Sequence, residues 1–402
     1  MKRVLALLVL VATVSGCATI KNFFNNPKKE NIQPPTPLTQ ITPTVTVQKL
    51  WSEHPTSGAQ ESGARMDPVY DDGKLYTAGV GGEVAALDGG TGRTVWKRHL
   101  GEGHGWFFHR GHNSLRWTGG PSVSGGLVIV GSVEGVVQAL DAGTGEDRWH
   151  AQVSSEVIAP AAIGGGVVVV RSNDGRLYGL NASDGSRRWV YDRDSVPVLS
   201  LRGNAAPRIA DGVVYAGEDD GKVVALRLTD GKTIWEQTIS PGEGRTELER
   251  LQDVDGSVAV DNGVVYAAGY HGVVAALIAQ SGRPLWTHKL SSYTGVAVAP
   301  THVFVVDADS GVWGLDLRTG ASDWKQSGLA YRWLGEASTM GDYVVVGDLD
   351  GYVHWLSAAD GKFAARDRLS GDAIRSAPVV AGDTVYVEDV NGAIGAWRMV
   401  SK

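Results

Sequence analysis

The sequence predicts an all-β fold, an eight-bladed β-propeller with four antiparallel strands per blade, and three observations carry that reading. An eleven-residue stretch, Ala86-Leu87-Asp88-Gly89-Gly90-Thr91-Gly92-Arg93-Thr94-Val95-Trp96, returns in recognisable copies along almost the whole chain. The glycine that opens the strand before each copy lies at Gly82, Gly135, Gly175, Gly221, Gly272, Gly311, Gly351 and Gly392, at intervals of 39 to 53 residues. The basic unit is therefore about 40 residues, and the excess sits in loops. Within the first unit, turn signals at Asp72-Gly73, Gly81-Gly82 and Gly89 to Gly92 separate four short runs of strand character. Four strands at that period are the pattern of a propeller blade.

The repeated stretch is a strand end, a tight turn and a new strand. Asp88 and Thr91 can hydrogen-bond the turn backbone, and Gly92 supplies the positive φ that a side chain resists. Trp96 ends the new strand, and Trp149, Trp189, Trp235, Trp286 and Trp324 recur in the same way, each four residues after its glycine. A ring burying roughly 150 to 250 Å² at each blade interface is a large, repeated stabiliser. The seventh copy departs from this pattern, with Ala365 where a tryptophan is expected and Phe363 nearby. The eighth runs from Gly392 to Trp397 and leaves no residues for a fourth strand. The segment 44–51, Thr44 to Trp51, alternates like a strand and ends on a tryptophan. It is expected to pair beside Ala393 to Trp397 and close the ring, which removes exposed sheet edges.

With 402 residues, 43% hydrophobic and 20% charged, the chain can bury a large core. Size alone would suggest two or three domains, and the long repeat overrides that expectation. A formal charge of -7, with no Lys/Arg block beyond the first residues and Lys28-Lys29, argues against a nucleic-acid partner. Cys17 is the single cysteine, so no intrachain disulfide can form. Lys2-Arg3, the apolar run Val4 to Val14 and Ser15-Gly16 make residues 1–16 a signal peptide. The run is too short to span a hydrocarbon core of roughly 30 Å, which takes about 20 residues. Val14-Ser15-Gly16-Cys17 resembles a bacterial lipobox. That resemblance implies lipidation of Cys17 and, with Ala18 behind it, sorting to the outer membrane; a plain signal peptide with an incidental cysteine is the other reading. Residues 17–43 carry Pro27, Pro34, Pro35, Pro37 and Pro43 and read as a flexible tether. The propeller is expected over residues 44–400.

The glycines punctuate hairpins rather than open helices, so a phosphate cradle is unsupported. Three histidines, His104, His109 and His112, fall in one loop and invite a metal reading. Their spacing matches no helix-face pattern and only Glu102 stands among them. A Gly-rich loop packing Trp106, Phe107 and Phe108 accounts for it better, and no metal is expected. Two further loops carry most of the functional information. Ser195 to Gly203 places Leu199, Leu201 and Arg202 in a short connection, and Gly244 to Asp255 has the look of a helical turn leading into Asp253 and Asp255. Arginine with apolar anchors, rimmed by carboxylates, is the composition of a protein-binding spot. Packing of both loops onto their own blades is the alternative.

The turn-and-tryptophan unit resembles the docking motif of quinoprotein-type eight-bladed propellers, in which the indole packs between blades and its N–H bonds a carbonyl. That resemblance raises a pyrroloquinoline-quinone dehydrogenase. Such enzymes carry adjacent cysteines in a disulfide, which one cysteine cannot supply, and no Ca²⁺ site of Glu, Asn and Asp is identifiable. No cofactor and no catalysis are therefore expected. A periplasmic small-ligand-binding propeller is a third class; it needs an aromatic-lined funnel, and blade packing absorbs most of the aromatic residues.

Taken together, the lipobox, the Pro-rich tether, the blades and the loops Leu199 to Gly203 (LSLRG) and Arg245 to Asp255 (RTELERLQDVD) resemble the BamB family. These are propeller lipoproteins of the β-barrel assembly machinery in Gram-negative outer membranes. The similarity runs from Cys17 to the C-terminus; the blade motifs are specific to the fold, and the two loops are more specific. The resemblance implies that the loops bind a POTRA domain of BamA through Leu199, Leu201, Arg202, Asp253 and Asp255. It implies a non-catalytic scaffold, lipid-anchored on the periplasmic face of the outer membrane, that helps deliver unfolded barrel precursors, with strand addition to a blade edge as one mode. The His-rich insertion at 104–112 is not part of that pattern.

Overall fold

The computed structural model describes residues 33–101, 116–193, 205–241 and 253–400. Cys17, Leu199, Leu201, Arg202, His104, His109 and His112 lie outside them. Met1–Thr36 forms one unit, of which residues 33–36 are described and carry no regular structure. Pro37–Lys402 forms the other and contains all the strands. Among the described residues there is no helix.

Among the described residues thirty-two strands form eight four-stranded antiparallel sheets. Blade 1 comprises Val69–Asp71, Lys74–Ala78, Glu83–Asp88 and Thr94–His99, hydrogen-bonded in chain order. Blades 2 to 7 repeat this order, and blade 7 comprises Ser338–Met340, Tyr343–Gly347, Tyr352–Ser357 and Phe363–Arg368. Blade 8 takes Val379–Ala381, Thr384–Glu388 and Ile394–Val400 from the end of the chain and its fourth strand, Thr46–Glu53, from the beginning. Thr46 pairs with Val400 and Glu53 with Ile394, so the closing strand runs two residues further along than 44–51. The ring is closed as the sequence predicts.

The core lies between blades. Among the described residues eight apolar clusters occur, one at each interface: Val128 and Val130 of blade 2 meet Val84 and Ala86 of blade 1, and Ile394 and Tyr386 of blade 8 meet Leu75 and Leu87 of blade 1. Second and third strands are buried on both faces, which is why they read as unbroken runs such as Val167–Arg171. Fourth strands form the rim and alternate, as in Asp147–Gln152.

The tryptophans link the blades. Each of seven indoles donates from Nε1 to a carbonyl in the third-to-fourth turn of the next blade, Trp51 to Gly89, Trp96 to Ala142, Trp149 to Ala182, and so round to Trp324 to Ala358, at 2.8–3.1 Å. Each ring also covers the positive-φ glycine of that turn. A Cβ on Gly320 (φ +69°) would meet Trp286 Cε3 at 2.4 Å, and one on Gly361 would meet Trp324 Cε3 at 2.4 Å.

The departure at Ala365 now has a cause. The partner of a blade 7 tryptophan would be the third-to-fourth turn of blade 8, and that turn does not exist, because the third strand of blade 8 runs to Val400 and the fourth comes from Thr46–Glu53. Sizes are exchanged across the hairpin instead. Elsewhere a small third-strand residue faces the tryptophan, as Ala86 faces Trp96; in blade 7 Trp355 faces Ala365. Trp355 is fully buried edge-on to Trp397, with centroids 6.4 Å apart.

Candidate functional site

One face of the ring is built from the connections that leave a fourth strand for the next blade and from the second-to-third turns. The two loops singled out in the sequence follow Arg187–Tyr191 and Thr233–Thr238 and, apart from Asp253 to Asp255, lie outside the described residues. Their described flanks are Arg193 on one side and Asp253 to Asp255 on the other.

The aspartates point inward. Asp253 is 0% and Asp255 2% exposed. The backbone between them is fixed by Val254 N–H donating to Glu218 O at 3.1 Å and Tyr270 N–H donating to Asp253 O at 2.8 Å, one bond to each neighbouring blade. Burial pushes the Asp255 carboxyl up to about 7; the Asp253 charge adds to this, while Arg65 and Arg171 oppose it. Beside them lies a buried ion-pair group. Arg171 donates to Gly217 O at 2.6 Å and pairs with Asp219, whose other oxygen takes Arg193 at 2.9 Å. Burial also raises the neighbouring Glu218, with help from the Asp220 charge.

Asp255 also lines a cavity of about 620 Å³ on the same face. Residues from the closing connection (Arg65, Asp67), from blade 5 (Tyr270), and from the connections to blades 6, 7 and 8 (Tyr293, Trp333, Glu336, Arg375) complete it. Nothing in the repeat points to these residues. One signal was available: Trp333 does not fall four residues after a turn glycine, and it is the tryptophan that stays 51% exposed. Among the described residues, no group of three His, Cys, Asp or Glu side chains converges as a metal site.

A family model described as outer membrane protein assembly factor BamB matches residues 44–111, 81–326 and 328–399. The outer membrane protein assembly factor BamB of Xanthomonas campestris pv. campestris is 41% identical over 99% of this chain and 98% of its own length. The chain belongs to the BamB family. The crystal structure of BamB from Moraxella catarrhalis superposes with a TM-score of 0.77 at 28% identity, covering 88% of this chain and all of the other. The quinohemoprotein alcohol dehydrogenase of Comamonas testosteroni shares the fold, with a TM-score of 0.67 at 15% identity over 88% of this chain and 76% of its own. That likeness is one of architecture.

Proposed function

We propose that this propeller is a non-catalytic scaffold subunit of the outer-membrane β-barrel assembly complex. It docks on the POTRA region of BamA and assists folding and insertion of barrel proteins. Membership of the BamB family along the whole propeller carries the reading, and the composition of the two loops, arginine with apolar anchors and aspartates, supports the docking. Leu199, Leu201 and Arg202 make the contact, while Asp253 and Asp255, being buried, shape the loop that presents it. Cys17 carries the lipid that holds the chain at the periplasmic face of the outer membrane, and residues 17–43 are the tether. Outer strands also leave Val190, Ile234 and Leu285 exposed beside docked tryptophans, an edge suited to strand addition by unfolded precursors.

Co-purification with BamA tests the docking. Leu199→Ala with Arg202→Ala is expected to weaken binding about thirtyfold, the value of a hot spot worth about 2 kcal/mol, at unchanged melting temperature. Asp253→Asn with Asp255→Asn is expected to lower recovery of BamA. Undiminished recovery of BamA by the Leu199/Arg202 variant would refute the reading.

A further inference from the structure

The cavity on the loop face has the volume of a ligand site, about 620 Å³ against the roughly 300–1,000 Å³ usual for one. Its charge is one-sided. Five carboxyl groups line it, those of Asp67, Asp255, Glu336, Glu388 and Asp389, against Arg65 and Arg375. Glu388 and Asp389 are spent on the fold: Glu388 accepts from the Thr77 hydroxyl, and Asp389 from Ser370 and two backbone N–H groups. Asp67 and Glu336 each accept one backbone N–H, from Ala377 at 2.9 Å and Gly295 at 3.2 Å. Arg65 donates to Tyr293 O at 2.7 Å and stands 3.9 Å from Glu336. Burial raises the Glu336 carboxyl to about 7 despite Arg65, so the chain's own bases leave it poorly compensated.

A second observation is independent of the acids. Trp333 is held at the mouth by backbone that carries strain: Tyr331 and Trp333 have φ of +59° and +50°, a conformation costing about 1–3 kcal/mol at each non-glycine position. The buried side chain of Arg332, between them, pairs with Asp348 at 2.8 Å and Asp350 at 2.5 Å and fixes the loop from below. Its flanks are pinned by Tyr331 N–H to Asp309 O and Leu334 N–H to Ser310 Oγ. The exposed indole is thus a rigid platform, and it already carries a guanidinium, that of Arg375, 5.5 Å from the ring centroid. A platform that takes a guanidinium on its face, over an under-compensated acidic wall, is built for a cation with a planar or apolar body.

We propose that this cavity binds an arginine side chain presented by a partner polypeptide, held by the Trp333 face and the carboxylates of Glu336 and Asp67, with Arg375 as the internal group it displaces. Tyr270, Tyr293 and Tyr331 supply the aromatic wall of an interface hot spot. The residues varied here, Trp333, Glu336 and Arg375, are not those varied to test the docking, Leu199 and Arg202, so the failure of this proposal and that of the docking reading are distinguishable.

The test is calorimetric titration of the intact chain with a flexible Gly/Ser peptide carrying one arginine, its citrulline counterpart, and spermidine. The arginine peptide is expected to bind, and the citrulline peptide to bind at least about tenfold more weakly. Trp333→Ala and Glu336→Gln should each weaken the arginine peptide by about tenfold, the scale of one desolvated cation–π or charged contact. Arg375→Ala should strengthen it severalfold, because the platform is then vacant. Melting curves confirm that each variant is folded. No binding, equal binding of the citrulline peptide, full affinity in Trp333→Ala, or weaker binding in Arg375→Ala would overturn the proposal. Spermidine binding as tightly as the peptide would assign the site to small cations instead.

Discussion

At the residue scale, the glycine of each turn and the tryptophan of the preceding blade form one unit. The indole can reach its carbonyl, as Trp286 reaches Leu317 O at 3.0 Å, because no Cβ stands under the ring. Gly320 is left-handed as well, with φ +69°. Gly320→Ala therefore meets two penalties: about 1–2 kcal/mol for the left-handed backbone and about 1–3 kcal/mol for overpacking. Gly341, at φ +57° with open space where its Cβ would lie, isolates the first. Denaturant unfolding is expected to show a loss of about 2–5 kcal/mol for Gly320→Ala and about 1–2 kcal/mol for Gly341→Ala. Equal losses would mean that the tryptophan contact adds nothing. The sequence showed both halves of the unit, since the tryptophan follows a glycine by four residues. It did not show that each indole serves the next blade's glycine, because the partner comes from the packing of repeats and not from spacing.

At the element scale, Thr46–Glu53 is the strand on which the ring depends. It pairs along the whole of Ile394–Val400, sends Trp51 to Gly89 O at 3.1 Å, and brings Leu50 and Trp51 to the cluster between blades 8 and 1. Deleting it removes one blade interface and bares a long strand edge. Calorimetry should show a lower and broader transition, and light scattering should show concentration-dependent association through the freed edge. A sharp transition at the original temperature would contradict the closure argument. The same element explains what was legible and what was not. A missing fourth strand at one end and a spare one at the other predicted the closure. The missing tryptophan at residue 365 stayed unexplained until the absent turn of blade 8 was seen. The cavity was invisible for a related reason: Arg65, Trp333, Glu336 and Arg375 come one or two at a time from irregular connections, which share no period and meet only when the ring closes.

At the scale of the whole molecule, the ring gathers carboxyl groups towards one cavity. Burial raises Glu388 to about 8 and Asp255 and Glu336 to about 7, and Asp67 is raised in the same way. The Asp389 charge pushes Glu388 further up, and the Thr77 hydroxyl opposes it. In the unfolded chain these groups lose their protons at about pH 4, so over neutral pH the folded state binds more protons than the unfolded one. Stability then falls as pH rises: this contribution is complete below about pH 4 and is lost as pH passes through the folded values near 7 and 8. Turn aspartates such as Asp88, lowered by their hydrogen bonds to Thr91, act in the opposite sense. Their contribution is lost only on acidification below about pH 4 and does not touch the neutral window. Glu388→Gln isolates the largest member of the set, because glutamine keeps an oxygen to accept from Thr77 and has no proton to lose. Melting temperatures measured from pH 6 to pH 9 are expected to decline steeply for the natural chain and more gently for the variant. The two curves should separate most above pH 8, where the natural carboxyl is ionised in the folded state. Parallel curves would mean that Glu388 is ionised in the fold already at pH 6, and that the cavity carries its negative charge throughout.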